Sequence, residues 1–258
     1  MLLKDPFFNS FESSVDSYAV PEKFTFHLSN APVALCLLAA KELQNYLTEQ
    51  TDFQHNFGLA NDNAGTVIGK MFGVLLVKTK DNEIGYLAAF SGKLAGTNHH
   101  AKFVPPVFDA LTENSFLNNG MTQLKQINNK ISALESQEND ANIEQVNLLK
   151  ISRKNHSIAL QNELFKYYHF LNKSGEEKSL HELFKNANYK NPPSAAGECA
   201  APKLLQYSFQ NKMQPLAIAE FWWGKSPKSN QWKHKHFYPC CREKCEPILA
   251  HMLSGINE

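Results

Sequence analysis

The side chains best suited to chemistry in this 258-residue chain are cysteines, and three of the five crowd into Tyr238-Pro-Cys-Cys-Arg-Glu-Lys-Cys245. A fourth, Cys199, stands in Gly197-Glu-Cys-Ala-Ala-Pro-Lys-Leu-Leu-Gln-Tyr. Both segments read as helix openings, and they flank the strand-like run Pro215-Leu-Ala-Ile-Ala-Glu-Phe-Trp-Trp223. The free N–H groups of a helix's first turn favour an anionic sulfur, and in a parallel βαβ arrangement two such N-termini lie side by side at one end of a sheet. Zinc binds Cys sulfur and, in a catalytic site, needs three protein ligands plus water. Cys199, Cys245 and one of Cys240 or Cys241 would suffice, with Cys199, Cys241 and Cys245 the best metal candidates. The competing reading is reduced, buried thiols that only pack. If an ion is held, Glu198 is the candidate general base for its water, and His99 and His100, in the loop Gly92-Lys-Leu-Ala-Gly-Thr-Asn-His-His100, are candidates to complete the pocket.

The same third of the chain carries its densest positive charge. Between Gly224 and Cys245 lie Lys225, Lys228, Lys233, Lys235, Arg242 and Lys244 against Glu243 alone, interleaved with Trp232, His234, His236, Phe237 and Tyr238. Cations hold phosphates while aromatics stack bases, the pairing expected for single-stranded or looped RNA; the candidate contacts are Lys225, Lys228, Trp232, Lys233, Lys235, His236 and Arg242. A solvated basic loop anchored by aromatics is the alternative. For the whole chain the formal charge is +1, so only a local surface of this kind can attract a polyanion.

Hydrophobic residues make up 43% and charged residues 20%, ordinary globular usage that argues against global disorder. The longest apolar run, Val33 to Ala40, is far short of the roughly 18 residues a membrane span needs. The opening Met-Leu-Leu-Lys-Asp-Pro-Phe-Phe lacks the pattern of a signal peptide, and an odd cysteine count argues against a disulfide framework, so a cytoplasmic protein is expected. Arg153 and Arg242 are the two arginines, which excludes any mechanism needing another.

The elements that must position these residues follow from periodicity. A helix is expected from Pro32 to about Tyr46, and strands over Val67–Thr79 and Ile84–Phe90 around the turn Lys80-Asp-Asn-Glu83. Gly69 and Gly73 mark a bulge or a close backbone approach. Residues 121–171 lack glycine and proline and show two helical runs broken at Ser136-Gln-Glu-Asn-Asp140, an inserted antiparallel helical hairpin whose functional reading is a protein-partner or RNA arm and whose alternative is an ordinary solvated hairpin. Ser179-Leu-His-Glu182 is a capping box opening a short helix. The expected fold is an α/β layered domain with a small mixed sheet, its halves at 1–120 and 172–258, with the hairpin at 121–171 between them.

Two resemblances accompany this reading. The order hairpin, Cys-bearing helix, strand, Pro-Cys helix resembles the core of zinc-dependent nucleobase deaminases, in which Cys199 would match the first ligand and Pro239-Cys240 the start of the second motif. That family's catalytic Glu would fall at Ala201, Glu198 lies on the other side of the cysteine, and the cysteine spacings are C-x3-C and C-x4-C. Pro21-Glu-Lys-Phe-Thr-Phe, Ile68-Gly-Lys-Met-Phe-Gly-Val-Leu, Gly85-Tyr-Leu-Ala-Ala-Phe-Ser-Gly-Lys-Leu, the Gly197–Tyr207 segment and Cys245-Glu-Pro-Ile-Leu are similar to the N-terminal region of long bacterial RluA-type RNA pseudouridine synthases. The resemblance implies an RNA-binding accessory module beside a catalytic domain. That catalytic domain uses a His-Arg-Leu-Asp motif, and neither arginine here is followed by Leu-Asp. A divergent zinc-dependent deaminase-type hydrolase and a protein-interaction domain are the alternatives.

Overall fold

The computed structural model describes residues 5–26, 31–59, 66–112, 115–137, 142–187, 191–227 and 231–257. It divides into two compact units, one of residues Met1–Val107 and His169–Glu258, the other of Phe108–Tyr168. The second unit starts before the expected boundary at residue 121 and ends before Leu171.

The first unit is an α/β structure on a mixed sheet. Its long strands are β3 (Lys70–Lys78), β4 (Ile84–Phe90) and β7 (Gln214–Trp223), with two-residue strands β1 (Asn9–Ser10), β2 (Thr25–Phe26) and β8 (Phe237–Tyr238). The order is β1-β4-β3-β7-β2, and β8 also pairs with β7. β3 and β4 form an antiparallel hairpin whose turn places Asn82 at φ +64°, a conformation Asn tolerates. β7 runs antiparallel to β3 and β8 and parallel only to β2.

Strand alternation sorts the core. Phe72, Val74 and Leu76 of β3 and Ala219 and Phe221 of β7 join Leu35, Ala39 and Leu43 of α1 (Ala34–Glu49) in one buried cluster. The other face carries Gly73, where an added Cβ would stand 3.0 Å from the Ala200 methyl and 3.1 Å from Leu204. The missing side chain thus admits α5 (Ala200–Gln210) close to the sheet. The short helix α4 (Leu180–Asn186) opens with the expected capping box: the Glu182 N–H donates to Ser179 Oγ and the Ser179 N–H to Glu182 Oε2.

The second unit holds α2 (Phe116–Glu135) and α3 (Ile143–Phe165). Cross-contacts give their direction: Glu135 pairs with Lys150, Asn128 accepts from Arg153, and the Gly120 carbonyl meets His156. As one helix advances the other retreats, so the two are antiparallel. The helical character expected to reach Leu171 stops at Phe165. His169–Leu171 is strand β5, paired with β6 (Glu177–Ser179). Between them Asn172 Oδ1 accepts from the N–H groups of Ser174 and Glu176, a side-chain turn that reverses the chain from β5 to β6. Of the expected break at 136–140, residues 138–140 lie outside the described residues. Among the described residues no helix is long and apolar enough to cross a membrane.

Candidate functional site

Cys199 is the N-cap of α5 and Cys241 the N-cap of α6 (Arg242–Met252), and the Cys199 side chain does not cap its helix. The two N-termini meet around a cavity of about 390 Å³ whose lining includes Cys199, Cys241, Glu198, Glu220, Lys70 and Lys244. The convergence does not arise from parallel strands on both sides, since β7 is antiparallel to β3 and β8. Instead α5 and α6 pack directly against each other, and Glu220 and Trp222 of β7 supply part of the cavity wall.

The thiols form a chain. Cys245, buried on the first turn of α6, is in hydrogen-bond contact with both Cys199 and Cys241. Its own ionisation is pushed up by those contacts and by burial. Cys241 responds oppositely, drawn down to about 6 by the hydrogen bond from Cys245, then by the Lys244 backbone N–H and the Lys244 charge. Burial raises the pKa of Cys240, and the Glu220 carboxylate it packs against raises it further. All three metal candidates therefore come together. Their softness suits zinc, but among the described residues no group of three or more His, Cys, Asp or Glu side chains is placed to hold a metal ion.

Glu220 is the residue the sequence reading passed over. It is 5% exposed, its Oε1 accepts from the Ala201 N–H at 3.1 Å, and desolvation raises its pKa. A carboxyl group therefore does reach the first turn of α5, from the neighbouring strand. The legible signal was a lone acid inside an apolar strand, since a buried carboxyl needs partners.

Glu198, the acid that was singled out, is half-buried in the cavity wall. Its charge favours the protonated forms of Lys70 and Lys203. Lys203 is another unforeseen residue, 3% exposed, donating to the carbonyls of Phe90 at 3.0 Å and Gly92 at 3.2 Å. Burial lowers it to about 8. Lys70 similarly donates to the Ser91 carbonyl, so Lys203 ties the chain after β4 to α5 and Lys70 ties it to β3.

His99 and His100 are not among the residues lining this cavity. His99 is exposed and its N–H donates to Thr97 Oγ1. The His100 ring engages the Leu94 carbonyl at 2.9 Å and packs among Phe53, Phe90 and Phe103, so it serves the loop's architecture.

The basic aromatic segment divides between two faces because successive residues of β7 point oppositely. On the cysteine side, Trp222 and Trp232 stack with ring centres 5.8 Å apart and planes at 22°, and Tyr238 meets Trp232 edge-on at 4.6 Å. Both tryptophans line the cavity with Lys70 and Lys244. On the α1 side, Trp223 packs on His234, and Lys235 Nζ sits 5.6 Å from the Trp223 ring centre, in a second concavity with Phe53, His55 and Phe57. Gly224 makes the turn between them: at φ +107°, with an added Cβ 2.6 Å from the Phe57 carbonyl oxygen, only glycine fits. Lys225, Lys233, His236 and Arg242 are exposed, and Lys228 lies outside the described residues.

No family model matches the chain, and no curated protein and no solved structure matches it significantly.

Proposed function

We propose that the first unit binds single-stranded or looped RNA, as an accessory module of the kind that precedes the catalytic domain in RluA-type pseudouridine synthases. The observation that carries this reading is the stacked Trp222–Trp232 pair, with Tyr238 edge-on to Trp232, in a cavity wall that also includes Lys70 and Lys244. Half-buried tryptophans beside cations give a base a π-face and a phosphate a counter-charge within one nucleotide's reach. The chain has no His-Arg-Leu-Asp motif, so on this reading it contributes binding while uridine isomerisation belongs to a catalytic domain elsewhere.

The test is titration of the protein with a fluorescein-labelled oligouridine and with an RNA hairpin bearing a single-stranded loop, over a range of salt. Binding should weaken steeply with salt, and Trp232→Ala should weaken it about tenfold or more, the scale of one lost base–aromatic stack. Lys244→Gln should lower both affinity and salt slope. Binding to neither RNA, or binding indifferent to Trp232→Ala, would refute the proposal.

A further inference from the structure

The cysteine cluster calls for an account that RNA binding does not supply. Two cavity-wall sulfurs joined through a third, Cys245, differ from an isolated core cysteine such as Cys36, which is buried in the α1 cluster. Two of the three, Cys199 and Cys241, are half-buried and line the cavity, while Cys245 lies behind them in contact with both. A reagent entering the cavity thus meets an accessible sulfur that already has a second sulfur at its back. Cys240 stands apart, buried and held by Glu220.

The two accessible sulfurs differ in their surroundings. Cys199 follows Glu198, a carboxylate on the same wall. Cys241 precedes Arg242 and Lys244, and Lys244 lines the cavity beside it. Cations and first-turn N–H groups favour a nucleophilic sulfur, and an adjacent carboxylate opposes it. Cys245 follows Cys241 by four residues, one helical turn, a separation of roughly 6 Å that lies within the range a disulfide spans.

We propose that Cys241 is a peroxide-reactive thiol resolved by Cys245, so that the cavity wall is a reversible oxidation site. The chemistry balances with hydrogen peroxide as the oxidant. The Cys241 sulfur attacks one peroxide oxygen, the O–O bond breaks, a sulfenic acid forms, and the departing oxygen leaves as water with the thiol proton. The Cys245 sulfur then attacks the sulfenyl sulfur, the S–S bond forms, the S–O bond breaks, and the hydroxyl leaves with the Cys245 proton as a second water. Two thiols are oxidised by two electrons in all, and the peroxide is reduced to two waters. This inference is independent of the RNA reading, because its readout is covalent.

The experiment uses the full chain as purified, with its zinc content measured first. The protein is exposed to a small molar excess of hydrogen peroxide, its remaining thiols are alkylated, and the tryptic peptides are analysed by mass spectrometry. The expected result is loss of two alkylatable thiols, a linkage joining Cys241 to Cys245, and full reversal by dithiothreitol. Peroxide consumption should fall about tenfold or more in Cys241→Ser, the scale of removing an activated thiol, and stay unchanged in Cys36→Ser. In Cys245→Ala the sulfenic acid should accumulate on Cys241 and be trapped by dimedone. The wild-type linkage map decides the question if that variant folds poorly. A disulfide through Cys199 instead, labelling spread evenly over all cysteines, oxidation of Cys241 without a linkage, or about one equivalent of zinc that shields the three thiols would each overturn the proposal.

Discussion

The helix openings in the two units solve one problem by different means. An α-helix leaves its first N–H groups without partners. In the second unit, Ser115 meets this need for α2 locally: its hydroxyl oxygen accepts from the Asn118 N–H three residues on. In the first unit, the N-cap of α5 is a cysteine that caps nothing, and the acceptor arrives from Glu220, nineteen residues away on β7. The serine cap is exchangeable with water. The glutamate is buried, so its hydrogen bonds to Ala201 and Cys240 are the ones that offset its desolvation. A helix end satisfied from a distance makes its cavity wall depend on the whole sheet, which suits a site whose shape must be fixed.

The sharpest way to break this comparison is to remove both acceptors. Glu220→Ala should cost about 2–4 kcal/mol, since it strands a buried N–H and leaves a void, whereas Ser115→Ala should cost about 1 kcal/mol. Urea unfolding of both variants measures the difference. Glu220→Gln keeps an acceptor and removes the titration. Burial raises the folded pKa of Glu220 above its unfolded value, so its contribution is fully present below about pH 4.3 and is lost as pH rises through the folded value. Wild-type stability relative to Glu220→Gln should therefore increase on acidification toward pH 4.3. An unchanged difference across that range would mean Glu220 is not buried as described.

The contrast also explains what could be read from the sequence. The α1 helix, the β3–β4 hairpin, the capping box of α4 and the Cys-bearing openings of α5 and α6 rest on patterns within a few residues. Each was legible. Strand β2 is two residues long and pairs with Ala217 and Ile218, far along the chain, so no local pattern announces it. The site divides in the same way. The meeting of Cys199, Cys241 and Cys245 was expected from a parallel βαβ arrangement, whereas β7 is antiparallel to β3 and β8 and the two helices pack directly on each other. Glu220 and Lys203 were not expected, because each bonds across elements that only the sheet order brings together. His100 shows the opposite error: its type suggested chemistry, while its ring is occupied by the Leu94 carbonyl and three phenylalanines.

Glycine substitutions give a second test, of intermediate size. Gly224 holds φ +107° against the Phe57 carbonyl, and backbone oxygen cannot move aside cheaply. Gly224→Ala should cost about 2–3 kcal/mol. In α2, a Cβ at Gly120 would meet the Leu160 side chain from Cγ outward, so Leu160 must shift, which alanine's better helix propensity, by about 1 kcal/mol, partly offsets. Gly120→Ala should therefore fall within about 1 kcal/mol of wild type. Equal losses at the two positions, by thermal or urea unfolding, would show the two helices of the second unit to be packed as tightly as the cavity wall.

Cations supply the last pair of tests, one buried and one exposed. Lys203 is buried and its folded pKa is lowered to about 8, below an unfolded value near 10.4. Its contribution to stability is thus present above the unfolded value and lost as pH falls through about 8. The unfolding free energy of wild type minus that of Lys203→Met should rise between pH 8 and about 10. Lys150, paired with Glu135 at 2.8 Å between α2 and α3, is half exposed. Water already solvates both partners there, so Lys150→Ala should cost no more than about 0.5 kcal/mol, and added salt should erase even that. A larger, salt-resistant loss at Lys150 would mean that this ion pair is shielded from solvent, and that the second unit, like the first, is held by polar contacts water cannot replace.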